Sequence, residues 1–196
     1  MTTTAQSPWK PGIRFRVMAT THPMAFGLLA GILATHIATI VGFWFHGIFG
    51  LPDLDFPRFN AYLLYKPDTS LADMAAIFAA TTSTSRLVLG WVVHMFTGVV
   101  FAMTYVVAIH PRLTWRNTSA GNLSKAMIWG AILATISGLW WIPVLFPDFN
   151  PGIFGQNFFG LGKGIIAVYL WHFIWAANLA LFYNPLNPDE IVGLVE

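Results

Sequence analysis

Four stretches of this chain hold no Asp, Glu, Lys or Arg: Pro23 to Gly50, Leu87 to Pro111, Ala126 to Pro147 and Gly164 to Pro188. Each exceeds the roughly 20 apolar residues that a helix needs to cross the hydrocarbon of a bilayer. Lipid offers the backbone no hydrogen bonds, so segments of this kind cross it as helices. Charged residues are 9% of the chain, whereas a soluble domain carries about a quarter. The expected fold class is therefore an all-α membrane protein, with four transmembrane helices in a bundle. The spans are placed at about 24–48, 86–109, 124–146 and 162–183, within a transmembrane domain 23–185. A tail of residues 1–22 precedes it and a short tail, 186–196, follows. The first apolar run is too long for a signal-peptide core and reads as the first span.

The basic residues set an orientation. The leading tail has Lys10, Arg14 and Arg16, and the second loop has Arg112 and Arg116, with Lys125 at the next helix start. The first loop sets Asp53, Asp55, Asp68 and Asp73 against Arg58 and Lys66. The third loop has Asp148 before Lys163. By the positive-inside rule both tails are cytoplasmic and the long first loop is on the outer side. Asp189, Glu190 and Glu196 say little here, since acids weigh lightly in that rule. The same juxtamembrane placement explains the high pI without a nucleic-acid partner. The sequence has no Cys, which excludes disulfides, Cys-ligated iron–sulfur clusters and thiolate catalysis.

The first loop has turn material at Leu51-Pro52-Asp53 and Phe56-Pro57-Arg58, then Tyr62 and Tyr65, which suit the headgroup level. Ser70-x-x-Asp73 reads as a helix start, with Met74 to Ala80 a short helix behind it. Pro147 to Gly152 is a tight turn cluster, and Pro143 is expected to kink or fray the third span. Small residues recur every four positions: Gly27, Gly31 and Thr35; Gly90, His94 and Gly98; Gly130, Ala134 and Gly138; Gly160 and Gly164. Such faces let helix backbones approach closely in lipid.

His36, His94 and His172 each fall near the middle of a different apolar run. An ionisable group at that depth is costly and is by default a candidate functional residue. At a rise of 1.5 Å per residue, His36 lies roughly 18 Å from the cytoplasmic edge; His94 and His172 lie roughly 12 and 14 Å from the outer one. In a core of about 30 Å, the three share one layer. One reading is a b-type haem with His94 and His172 as axial ligands. Gly90 and Gly98 would leave room for the macrocycle, and Arg86 and Lys163 would pair with its propionates. Thr35, Thr97, Thr104 and Asn178 would orient ring N–H groups. A three-histidine metal site would need His36 to join His94 and His172. The plainer reading has neutral imidazoles hydrogen-bonded across the helices, with Arg86 and Lys163 snorkelling. Trp171 and Trp175, one helical turn apart, pack against lipid or other spans, or wall a cofactor. His22, His46 and His110 sit at helix ends and read as interfacial.

The second span, Gly90-Trp91-Val92-Val93-His94-Met95-Phe96-Thr97-Gly98 and on to Tyr105, resembles a family of small bacterial four-helix membrane proteins. The Gly160-Leu161-Gly162-Lys163-Gly164 entry to a last helix with His172 and Tyr183 is similar, as is Asp73-Met74-Ala75-Ala76. The resemblance implies a multi-pass protein of the bacterial inner membrane in which His94 and His172 are family features and His36 is particular to this chain. It assigns no chemistry.

Three function classes follow. The first is an accessory transmembrane subunit of an energy-converting, respiratory complex, with other spans and lipid as its partners and no catalysis of its own. The second is a haem b-binding electron-transfer subunit or one that handles quinones. The third is a small neutral-solute transporter, since the spans lack the charged residues that ion or proton coupling uses.

Overall fold

The computed structural model describes residues 11–65, 83–187 and 190, and the side chains of Pro11 and Asp148 are not described. The Ser70-x-x-Asp73 helix start, Met74 to Ala80, and Lys10, Lys66, Asp68, Asp189 and Glu196 lie outside the described residues. Helix α1 is Pro11–Thr21 and α2 is Pro23–Gly42. The short α3, Phe45–Phe49, and α4, Phe56–Tyr65, occupy the first loop. Next come α5, Thr84–Thr104, and α6, Ser119–Ile136. Single turns α7, Ile142–Leu145, and α8, Gln156–Phe159, precede α9, Leu161–Phe182. Every described element is helical, and four helical stretches are long and apolar enough to cross a membrane: Pro23–Gly42, Thr84–Arg112, Ser119–Leu145 and Leu161–Phe182.

Local chemistry sets these ends. Pro23 opens α2, where a missing N–H costs nothing. Ser83 Oγ accepts from Arg86 N at 3.4 Å and Thr118 Oγ1 from Gly121 N at 3.0 Å, capping α5 and α6. The Thr118 cap starts α6 five residues ahead of the position at 124 drawn from charge alone. The first span ends at Gly42, short of position 48, because the Gly42 carbonyl accepts Leu54 N at 3.3 Å and the chain turns back on itself.

Both helices that meet a late proline widen before it. Tyr105–Ile109 and Ser137–Trp141 are π-turns, with His110 N bonded to Tyr105 O and Ile142 N to Ser137 O. Pro111 and Pro143 lack the N–H that would continue the ladder, and the wider turn accommodates the lost bond. Pro143 thus yields a π-turn one turn upstream.

The small-residue faces bring α2, α5, α6 and α9 together within the chain. A methyl built on Gly31 would lie 2.9 Å from Val99 Cα, and one on Gly27 2.9 Å from Val106 Cγ2, so α2 rests on α5. On Gly130 it would lie 2.8 Å from Ala176 Cβ and 3.0 Å from the His172 carbonyl, which joins α6 to α9. The buried core runs along α2, α5 and α9 through Ala30, Ala34, Ala38, Ala102, Trp175, Ala176 and Leu179. Large apolar side chains such as Ile32, Phe96, Ile132 and Leu181 point outward, as lipid-facing helices require.

The two ends of the helices differ. At one, Arg16 donates to the carbonyls of Asn117, Asn184 and Pro185, and Thr20 Oγ1 accepts Leu186 N at 2.8 Å. Buried Asn122 donates to Asn184 Oδ1 at 2.6 Å and Pro185 O at 3.0 Å, while its Oδ1 meets His110 Nε2 at 3.2 Å. Lys125, also buried, donates to Asn117 Oδ1 at 2.6 Å. At the other end, α4 lies on α5 and meets the third loop through rings: Phe59 on Phe146 at 5.6 Å and Tyr62 on Phe149 at 4.7 Å.

Candidate functional site

Beneath that aromatic cover lies a cavity of about 150 Å³ bounded by α4, α5, the α6 to α8 segment and α9. Its walls are mainly rings, among them Phe56, Phe59, Phe101, Trp141, Phe146, Phe154, Trp171 and Trp175. Among the described residues, the polar side chains in its lining are Asn60, His94, Thr97, Ser137 and His172, with no carboxylate, Lys or Arg.

His94 and His172 both border the cavity and are 6% and 5% exposed. His94 is gripped from three sides. Phe56 stacks on it at 5.4 Å and 11°, Trp171 packs at 5.8 Å, and Thr39 Oγ1 bonds Nε2 at 2.8 Å. His172 has Trp171 at 5.1 Å, donates Nδ1–H to the Val168 carbonyl at 2.7 Å, and meets Ser137 Oγ through Nε2 at 3.3 Å. Ser137 opens the π-turn before Pro143, so the wider backbone turn and the hydroxyl facing His172 belong to one local feature. Such turns recur at functional sites.

Trp171 touches both imidazoles and Phe56, yet its own N–H is buried without a hydrogen-bond partner among the described residues. The indole sits where Gly42 has no side chain. A methyl there would lie 3.0 Å from Trp171 Cδ1 and 3.2 Å from Nε1. Trp175 is satisfied, donating to Thr35 Oγ1 at 2.9 Å.

Several sequence expectations are redistributed. His36 does not join the other two; it is exposed on α2 and packs against Trp91 at 5.3 Å. Among the described residues, no three His, Cys, Asp or Glu side chains converge as a metal site would need. The glycines flanking His94 leave no open slot. A side chain at Gly90 would overlap the Pro57 carbonyl of α4, and one at Gly98 would overlap Thr35 of α2. Neither Arg86 nor Lys163 lines the cavity; Arg86 lies over the Tyr65 ring at 5.0 Å and Lys163 is exposed.

Thr97, Thr104 and Asn178 bond carbonyls of their own helices, Val93, Val100 and Ile174, and orient neither imidazole. Thr39, Ser137 and the Val168 carbonyl do that instead. Thr39 could have been found as the polar residue one turn after Thr35 on a face of Ala30, Ala34 and Ala38. Nothing in the sequence marks Ser137, because its placement depends on the π-turn. Of the remaining histidines, His110 is buried against Asn122, and His22 and His46 are exposed.

Outside the spans, Asp55 is held above its ordinary range, chiefly because burial disfavours its charge, with Arg58 at 2.9 Å opposing that. Glu190 lies below the usual carboxylate range, first through its bond from the Asn187 side chain and also through Arg116.

No protein-family model matches the chain, and no curated protein or solved structure is similar enough to it to count as a match.

Proposed function

We propose that this chain is a multi-pass protein of the bacterial inner membrane that holds a small, lipid-soluble ring compound, the non-haem branch of a quinone-handling role. The observation that carries the reading is the ring-walled cavity of about 150 Å³ bordered by two buried imidazoles. A dry apolar cavity of about that size accommodates one benzene-sized ring. Sparse polar groups in an aromatic wall are the usual make-up of a small-molecule site. The tails and the Arg112 and Arg116 loop lie on the cytoplasmic side, and α4 with the third loop covers the site from the outer side.

A bis-histidine haem draws less support. Both imidazoles are hydrogen-bonded within the protein and share Trp171 as a neighbour. The flanking glycines are filled by Pro57 and Thr35, and neither proposed propionate partner reaches the cavity. These residues do not suit a macrocycle.

The experiment is toluene binding by the purified full chain in nanodiscs, read as a rise in thermal midpoint. A saturable rise is expected, lost in Ala167→Met, which fills the wall with an adaptable side chain. An unchanged midpoint across the soluble range of toluene would end this reading.

A second reading, an accessory subunit among other spans, is favoured by His36. An imidazole facing outward in mid-span is costly in lipid, and a neighbouring helix would relieve that cost.

A further inference from the structure

The hydrogen bonds around the two imidazoles fix where their protons lie. Thr39 Oγ1 is 2.7 Å from the Thr35 carbonyl and 2.8 Å from His94 Nε2. A carbonyl only accepts, so the single hydroxyl proton of Thr39 lies toward Thr35. The proton between Thr39 and His94 must then come from Nε2. Among the described residues no carboxylate lines the cavity, and an unpaired imidazolium there would be costly, so the ring is neutral. Its Nδ1 therefore carries a lone pair, and no hydrogen bond reaches that atom among the described residues.

The same logic applies on α9. His172 Nδ1 faces the Val168 carbonyl at 2.7 Å and must be the protonated nitrogen. Its Nε2 is an acceptor, facing the Ser137 hydroxyl at 3.3 Å. Ser137 donates to it and keeps its oxygen lone pairs for another group. The Trp171 N–H, a donor, is sealed against Gly42 and carries essentially no accessible area.

We infer that the cavity selects a ring bearing a hydroxyl, a phenol or hydroquinone, over the corresponding quinone, ether or hydrocarbon. The ligand O–H donates to His94 Nδ1, and the ring occupies the space beside Phe56 and Trp171. A quinone carbonyl at that position would bring lone pair against lone pair. A hydroxyl gives the unpaired Nδ1 of His94 the donor it lacks. Thr39 is then a positioning residue, holding the tautomer that leaves Nδ1 open. This inference rests on the proposed ring-binding function and adds the polarity of the ligand.

The test is a binding series on the full chain in nanodiscs, with phenol, hydroquinone, benzoquinone, anisole and toluene as probes, read by thermal midpoint and by competition. Phenol and hydroquinone are expected to bind about tenfold tighter than anisole and toluene, the equivalent of one neutral hydrogen bond. His94→Leu should abolish the phenol preference, so that the variant binds phenol no tighter than it binds toluene. Thr39→Val, which leaves the imidazole in place, should narrow the phenol preference without affecting toluene. Equal binding of phenol and toluene, or benzoquinone binding tighter than hydroquinone, would overturn the inference and leave the ring-binding function standing. Failure of every probe would overturn both. If His94→Leu does not fold, the Thr39→Val series decides, and an unchanged preference there counts against the proposal.

Discussion

The two ends of the helices are built from different materials. Where the chain's tails meet, Arg16, Asn117, Asn122 and Asn184 exchange directional hydrogen bonds over long sequence separations. Where α4 meets the third loop, Phe59, Tyr62, Phe146 and Phe149 meet ring to ring. Hydrogen bonds fix distance and angle, and an interrupted buried network leaves stranded partners. Ring contacts tolerate tilts and shifts at small cost. The polar end is suited to hold the tails in one arrangement, and the ring end to adjust its cover over a cavity.

The sharpest way to break this contrast is one substitution at each end. Asn122→Leu is close in volume but strands His110 Nε2–H and Asn184 Oδ1, and leaves the Pro185 carbonyl with Arg16 alone. The expected cost is about 3 kcal/mol, a fall of roughly 6–12 °C in thermal midpoint for a chain of this size. Phe146→Ala at the ring end removes a half-buried side chain and should cost less than half of that. Equal losses in detergent melts would mean that both ends are equally rigid.

Between the two ends, α5 and α2 touch through Gly98 and Thr35. Gly98→Ala would push its methyl into Thr35, which also accepts the Trp175 N–H. Overpacking of this kind costs about 1–3 kcal/mol, and the loss should come with weakened toluene binding because Trp175 lines the cavity. Gly162→Ala, where a methyl meets nothing within 4 Å, serves as the control and should leave the melt unchanged. A Gly98→Ala melt equal to that control would show that the α2 to α5 contact is loose.

How legible all this was depended on the kind of signal. The four helices long and apolar enough to cross a membrane were plain, because a run of apolar residues without charge has one solution in lipid. That His94 and His172 lie at one level, where both border one cavity, was legible from depth. That His36 does not border it was illegible, because depth says nothing about which way a side chain points around a helix. The glycines were read as space, yet glycine at a helix contact admits the partner's atoms, here Pro57 and Thr35. Ser137 was hidden because a π-turn rotates the face that a regular helix would present. The polar end showed in the sequence only as Arg16, Arg116 and Lys125, which set an orientation; its pairing joins residues over 100 positions apart, as in Arg16 with Asn117 and Asn184.

The smallest expected effect sharpens the contrast at the polar end. Glu190 accepts from the Asn187 side chain at 3.0 Å and from Arg116 at 3.3 Å, both bonds favouring the charged carboxylate. Its folded pKa therefore lies below the ordinary value of 4.5. A depressed acid contributes stability above its unfolded pKa, and that contribution disappears as pH falls through the folded value. The pair is open to solvent, so the effect is small and weakens in salt. In low salt, wild type should melt slightly above Glu190→Gln at about pH 6, and the gap should close as the pH falls through the folded pKa. Among the described residues the cavity lining at the ring end has no such group, so toluene binding should be the same in both proteins at either pH. A pH-dependent difference in toluene binding between them would show that the two ends are coupled and that the separation of their roles is wrong.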